Sequence, residues 1–215
     1  MTNIWWPICL ALVLNSCAAF RIEVPTVANP ALEQYVRAVG LEIAAVSEHR
    51  DRSAAFRFKL ADFARPDILG LSMGKQRIFI SYELTRLAYR SNKYRWLLRH
   101  TLAHEIAHDV LGRGSTGSDD MASSKAGLAN RVTSRDLGLP PQVAFRPYSR
   151  AAELDADRKA MEYWQKLGWD CQHWVRLFLD FIAQGYRGDV DHPTRERLTQ
   201  AVQICAQQQL AAPAE

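Results

Sequence analysis

The sequence predicts one α+β domain, mainly helical, with a small β-sheet just ahead of its longest helix. Three observations lead there. A chain of 215 residues holds one sizeable core and is cramped for two. Strand-like pieces crowd into residues 54–82, and segments with helical apolar spacing and cap signals lie on either side of them. Composition is globular, 48% hydrophobic and 23% charged. The net charge of +4 comes with no dense Lys/Arg stripe interleaved with aromatics, so a nucleic-acid surface is not expected.

The first segment differs in kind from the rest. It has no charged side chain from Met1 to Phe20, and its apolar run, residues 8–14, is too short for a bilayer, which takes about 20 residues. Residues 1–16 therefore read as a signal peptide. Leu14-Asn15-Ser16-Cys17 resembles a bacterial lipobox, and cleavage before Cys17 would leave a lipidated N-terminus on a tether, residues 17–30. Two features depart from that pattern: no Lys or Arg precedes the apolar run, and Asn15 is a less usual lipobox residue. Plain secretory cleavage after Ala18 or Ala19, or an uncleaved anchor, are the alternatives. The expected location is the periplasm, anchored by lipid, with Ala18 after the cysteine pointing to the outer membrane. Once Cys9 and Cys17 are set aside, Cys171 and Cys205 remain, either as an intramolecular disulfide or as two buried thiols.

The folded domain is expected over residues 31–209, with a frayed tail at 210–215. Pro30 suits the first turn of a helix to about residue 47, with Leu32, Tyr35, Val36, Val39, Leu41 and Ile43 as its apolar face. Strands are expected at 54–60, 68–72 and 77–82, the last two joined as a hairpin through Met73-Gly74-Lys75-Gln76. Residues 92–111 form a strong helix with Asn92 as N-cap and Gly112 past its end. The stretch 112–147, rich in Gly, Ser and Asp at first and holding Pro140-Pro141 near its end, reads as a flexible loop with one short helix and the character of a lid. Three helices follow, at 150–167, 169–183 and 193–208, the first two closed by Gly168 and Gly185.

Chemistry concentrates in the segment His104-Glu105-Ile106-Ala107-His108. Histidines four apart on a helix project from one face and can chelate one ion without bending the backbone. Glu105, about a hundred degrees round from His104, can hold a water as general base instead of ligating. His100, one turn earlier, invites the register His100–His104, but that puts Thr101 at the base position, so His100 reads as a core or supporting histidine. A catalytic zinc needs a third protein ligand. The extended motif with a third histidine is excluded, because Leu111 and Gly114 stand at the required Gly and His positions. The next glutamate along the chain is Glu153, with Asp157 four residues on and on the same helical face. That pair makes sense as metal ligand and as acceptor of a ligand histidine's N–H, against the alternative of an exposed acidic helix start. His192 is either an N-cap or surface histidine or a site residue that stabilises the oxyanion or closes the open metal position. Arg195 and Arg197 either bind nearby carboxylates or are solvated.

H-E-I-A-H followed by E-L-D-A-D-R resembles the gluzincin metallopeptidases that include the CAAX prenyl protease and the HtpX heat-shock protease, and in length the chain resembles their soluble periplasmic members. The resemblance runs over about residues 30–205. It implies a zincin-like domain with one Zn2+ per chain, held by His104, His108 and Glu153, with Asp157 behind a ligand and Glu105 catalytic. It also implies that the strand ending Ile78-Phe79-Ile80-Ser81 lies on the substrate side of the zinc helix, as an edge to which a peptide adds. The segment beginning His192-Pro193 is similar to a helix start common in the family. Tyr82-Glu83 departs from the Gly-Leu pair common in the family after this strand. The expected activity is zinc-dependent endopeptidase cleavage of exported or envelope proteins. The rival readings are a zinc-stabilised chaperone or binding lipoprotein and a metal-free helical interaction domain.

Overall fold

The structure is a computed structural model that describes residues 24–112, 135, 148–188 and 192–211. The expected signal peptide, the lipidation site Cys17 and most of the expected loop at 112–147 lie outside the described residues. The order is α1 (Pro30–Ala44), a short 3₁₀ segment (Arg50–Ala55), β1 (Arg57–Ala61), β2 (Gly70–Ser72), β3 (Arg77–Ser81), α2 (Tyr82–Arg90), α3 (Asn92–Val110), α4 (Arg150–Lys166), α5 (Gln172–Ala183) and α6 (Thr194–Ala211). The α+β class, mainly helical with a small sheet, is as expected.

α1 starts where Asn29 caps it, its side chain accepting from the Leu32 N–H, with Pro30 in the first turn. It buries Leu32, Val36, Val39 and Ile43 against the sheet and α3, while Tyr35 and Leu41 are only partly covered. It ends three residues before the expected stop. The start of the first expected strand, Ala54 and Ala55, belongs instead to the 3₁₀ segment.

The sheet has the order β1-β3-β2, with β1 parallel and β2 antiparallel to β3. The hairpin is present, its turn passing through positive φ at Gly74, Lys75 and Gln76. The order corrects one expectation. β3, which carries Ile78–Ser81, is paired on both sides and offers no edge; β2 is the edge strand on that side of the sheet. The reason is packing: Ile78 and Ile80 are fully buried and take the central place, while the shorter β2 lies over α3.

α2 was not foreseen. The extended run stops at Ser81, whose side chain accepts from the Leu84 N–H and starts a helix that buries Leu84, Thr85 and Ala88. α3 takes its cap one residue earlier than expected. Ser91, the single extended residue between the two helices, is the N-cap position, and Asn92 is already helical.

α3 is the axis of the molecule. Every residue from His100 to Asp109 is buried, and the helix packs on α1, α2, α4, α5 and the sheet. Burying Leu98, Leu102 and Ile106 contributes about 1.5–3 kcal/mol each. An unpaired buried ion costs several kcal/mol, so Glu105 and Asp109 need partners for the helix to stay there. Asp109 finds its partner in the hairpin turn, accepting from the Gln76 backbone N–H at 2.7 Å and from Gln76 Nε2 at 3.2 Å. Gly112, Gly168 and Gly185 follow the ends of α3, α4 and α5 in left-handed backbone, as expected of helix stops.

Among the described residues no helix is long and apolar enough to cross a membrane. α4 lies along α3, and α5 and α6 pair to close the helical body. Cys171, just before α5, is joined to Cys205 of α6 as a disulfide with Cα atoms 5.5 Å apart. The bond closes a separation of 34 residues, which corresponds to about 3–4 kcal/mol of loop-closure entropy. Replacing both cysteines by serine is expected to lower the unfolding free energy by about that amount, measured by urea denaturation, with metal binding retained.

Candidate metal centre

The site forms where α3, α4 and the segment before α6 converge. Ser149 caps α4 by accepting from the Ala152 N–H, and this start fixes the rotation that turns Glu153 and Asp157 onto α3. Both carboxylates are buried. His104, His108 and Glu153 form a buried group whose ligand atoms all lie within 4.8 Å of one another, a group that could hold a metal ion. His104 Nε2 is 2.9 Å from Glu153 Oε2, and His108 Nε2 is 3.4 Å from Glu153 Oε1 and 3.0 Å from His104 Nε2.

The chemistry of this donor set fits a cation. The bond from His104 Nδ1 to Asp157 Oδ1, 2.8 Å, keeps the ring proton on Nδ1 and leaves the Nε2 lone pair facing inward. A second imidazole nitrogen and a carboxylate aim at the same point. Neither Glu153 oxygen has the directional geometry of a hydrogen bond to a described residue, although imidazole nitrogens surround them. A proton on His104 Nε2 can meet one Glu153 oxygen, and a cation would meet all the acceptors that converge there.

The electrostatics agree. Burial opposes a charge on His104, but Glu153 and Asp157 outweigh it and push its pKa up to about 9. Burial would raise Glu153, yet His192, His108 and His104 hold it well below the ordinary carboxylate range. Against the same burial, Arg197 and then His104 keep Asp157 low. Burial leaves His108 neutral, with its pKa down to about 4. Glu105 differs from the other two carboxylates. Burial pushes it up to about 7, against the pull of His104 and with the repulsion of Glu153. A carboxyl poised near neutrality beside a cation site has the property a general base and acid requires.

Three further groups complete the site. Arg197 donates to Asp157 through Nε at 2.5 Å and Nη2 at 2.6 Å, so of the two arginines left open it is the one that binds a carboxylate; Arg195 is exposed. His192 comes to the site, its Nε2 3.1 Å from Glu153 Oε1. His100 does not join the metal group. It packs against Trp174 and Phe178, parallel to the His104 ring, and burial lowers its pKa to about 3, which makes it a core histidine.

Two contributors escaped the sequence. Tyr148 stacks on His108 with ring centroids 3.7 Å apart and donates its hydroxyl to the Ser72 carbonyl at 3.0 Å. Gly70, in β2, lies directly over Glu105: a Cβ there would stand 2.8 Å from Glu105 Cγ and 2.7 Å from Thr101 Cγ2. A glycine inside a strand is the available signal for such a close approach. Nothing about an isolated tyrosine after a long loop announces its role.

Neither the family models nor the curated proteins compared with the chain give a match.

Asp157→Ala is expected to weaken metal binding about 10–100-fold, measured by competition with a chelator, because His104 loses the acceptor that orients it. Gly70→Ala is expected to destabilise the fold by about 1–3 kcal/mol in denaturant titration, because the added methyl group has no space beside Thr101 and Glu105. The metal should remain bound in that variant, since its ligands are not displaced.

Proposed function

We propose that this protein is a zinc-dependent endopeptidase with a zincin-like domain, related to the gluzincins that its H-E-x-x-H and E-x-x-x-D segments resemble. The observation that carries the reading is the placement of Glu105. It sits beside the converging acceptors of His104, His108 and Glu153 and beneath the edge strand β2. A site that only stabilised a fold would have no use for a buried carboxyl held near neutrality next to its ligands.

His104, His108 and Glu153 would hold the ion, a His2Glu set that suits zinc. A zinc ion held there would supply Lewis acidity, lowering the pKa of an attacking water and drawing charge onto the scissile carbonyl oxygen. The rest of the mechanism belongs to the chain. Glu105 takes the proton of the attacking water and delivers it to the leaving amine nitrogen, tasks suited to a pKa of about 7. His192, partly exposed beside Glu153, donates to the carbonyl oxygen as it becomes negative. Substrate backbone pairs with β2. Leu69 and Met73 bond toward β3, through the Ser81 N–H at 2.9 Å and the Arg77 carbonyl at 2.9 Å. By strand alternation the peptide groups of Gly70 and Ser72 therefore turn away from β3; Tyr148 already bonds the Ser72 carbonyl, so Gly70 is the group this edge offers a substrate.

The disulfide between Cys171 and Cys205 supports an exported protein. Together with the apolar leader and Cys17, it supports substrates among envelope proteins, reached from a lipid anchor.

The test uses the full chain purified in detergent. Wild type is expected to bind one zinc and to degrade unfolded casein, with activity lost to a chelator and restored by zinc. Glu105→Gln should keep the zinc and lose about 10²–10⁴-fold in hydrolysis. Full zinc occupancy with no hydrolysis by wild type would leave a zinc-stabilised binding protein instead.

A further inference from the structure

We propose that the cationic and aromatic face around the start of α3 docks on a bilayer surface that carries anionic headgroups. The inference concerns a partner of the folded domain and does not depend on the peptidase reading.

Five segments supply the face. Arg95 Nε donates to the Ala88 carbonyl at 3.3 Å, which holds the start of α3 against the end of α2. Beside that contact Tyr89 of α2 meets the Tyr35 ring of α1 edge-on, with centroids 5.5 Å apart. Burial raises the pKa of the Tyr35 hydroxyl while Arg95 and Arg99 pull it down, so both guanidinium groups lie near it. Trp96 stacks on His173 of α5 at 3.8 Å and meets Trp169, between α4 and α5, edge-on at 6.0 Å. Arg176 follows His173 by about one helical turn, and Leu179 follows Arg176 by another.

The charge of this face is positive and largely uncompensated. Arg95, Arg99 and Arg176 have no carboxylate partner among the described residues, while Lys93 is paired with Asp180 at 3.1 Å. Asp170, the other acid nearby, is engaged with the Gln172 N–H. No acidic residue stands in the first turn of α3, so Lys93 and Arg95 sit at the positive end of its dipole, where cations are disfavoured. Nothing inside the fold offsets that repulsion; an external anion would.

The apolar part decides which anion. Tyr89 is 54% exposed and Leu179 49%, and Trp96 and Trp169 are only partly buried. At a bilayer, arginine and lysine meet phosphate while phenol, indole and leucine enter the boundary with the acyl chains. A nucleic acid suits the face less well. Arg99 lies over Trp96 at 4.7 Å and over Trp169 at 4.8 Å, and His173 is stacked on Trp96, so the indoles are not open platforms for a base. Each cation near an anionic bilayer strengthens binding about fivefold, so the three unpaired arginines together give about 100-fold. The face also adjoins the metal centre. A cavity of about 350 Å³ runs from His104 and Glu105 to Leu97, with Phe178 and Phe181 in its wall. Leu97 and Phe181 are the chain neighbours of Trp96 and Asp180, so docking would hold this cavity close to the bilayer.

The experiment is hydroxyl-radical footprinting of the full chain in nanodiscs, read by mass spectrometry. One set of discs is phosphatidylcholine and the other an equal mixture with phosphatidylglycerol. Any N-terminal anchor is common to both, so only headgroup charge differs. Oxidation of Tyr89, Trp96, Trp169 and Leu179 is expected to fall at least about fivefold on the anionic discs, while Val202, exposed on α6, stays unchanged. Arg95→Glu combined with Arg176→Glu should abolish the difference, with near-ultraviolet circular dichroism checking the fold. High salt, which shortens the Debye length, should erase it in the wild type without any variant. Equal oxidation on the two kinds of disc, or a difference that survives high salt or the folded double variant, overturns the proposal. So does protection of the same residues by a single-stranded oligonucleotide in detergent but not by anionic discs, which would assign the face to nucleic acid.

Discussion

The site depends first on one buried carboxylate. Asp157 of α4 accepts from His104 on α3 and from Arg197 on α6, so three helices meet in a single group. Breaking a buried ion pair by removing one partner costs about 3–5 kcal/mol, so none of the three helices can shift alone. The same bonds decide chemistry. His104 is held in one tautomer with its lone pair aimed at Glu153, and Arg197 neutralises the charge that does this. Arg197 also lies on Phe178, and the Cys171–Cys205 disulfide ties the start of α5 to α6. The aim of the His104 ring and the position of the cavity wall are thus set by one connected structure.

A second constraint acts from the side of the sheet. β2 is three residues long and would be a poorly fixed edge by itself. Asp109, next to His108, accepts the Gln76 N–H and side-chain amide, which pins the hairpin turn onto the end of α3. Gly70 then lets the strand settle onto Thr101 and Glu105 with no side chain between. Glu105, the proposed general base, and the edge that would bind substrate are therefore registered through α3, from which His104 and His108 also project.

How much of this could be read beforehand follows the range of each interaction. Local periodicity carries the helices, and the i, i+4 pairs His104/His108 and Glu153/Asp157 mark their own faces, so the metal group and its supporting acceptor are visible in sequence. Arg197 was visible as a candidate but not as a choice, because whether an arginine on α6 reaches a carboxylate on α4 depends on helix packing. Sheet order was misjudged for the same reason: a hairpin fixes which strands are neighbours and not which one is central. Only the long-range pairing of β1 with β3 makes β2 the edge. α2 was hidden because Ser81 ends a strand and caps a helix at once, and nine residues are too few for apolar spacing to stand out.

The buried charges explain why these residues belong together. Glu153 and Asp157 are both ionised in the interior, and Arg197 balances one of them. A deficit of one positive charge remains at the point where His104 Nε2, His108 Nε2 and the Glu153 oxygens meet. A proton on His104 meets the charge but not the geometry, since it can satisfy one acceptor and not several. A divalent cation meets both, and its second charge bears on the remaining neighbour, Glu105, whose carboxyl burial otherwise keeps near neutrality. Filling the centre would favour ionised Glu105, which is the form that accepts a proton. The same negative excess that makes the interior costly without a cation would thus leave Glu105 ready to accept a proton once one is bound, so stability and the proposed reactivity would be coupled through a single charge.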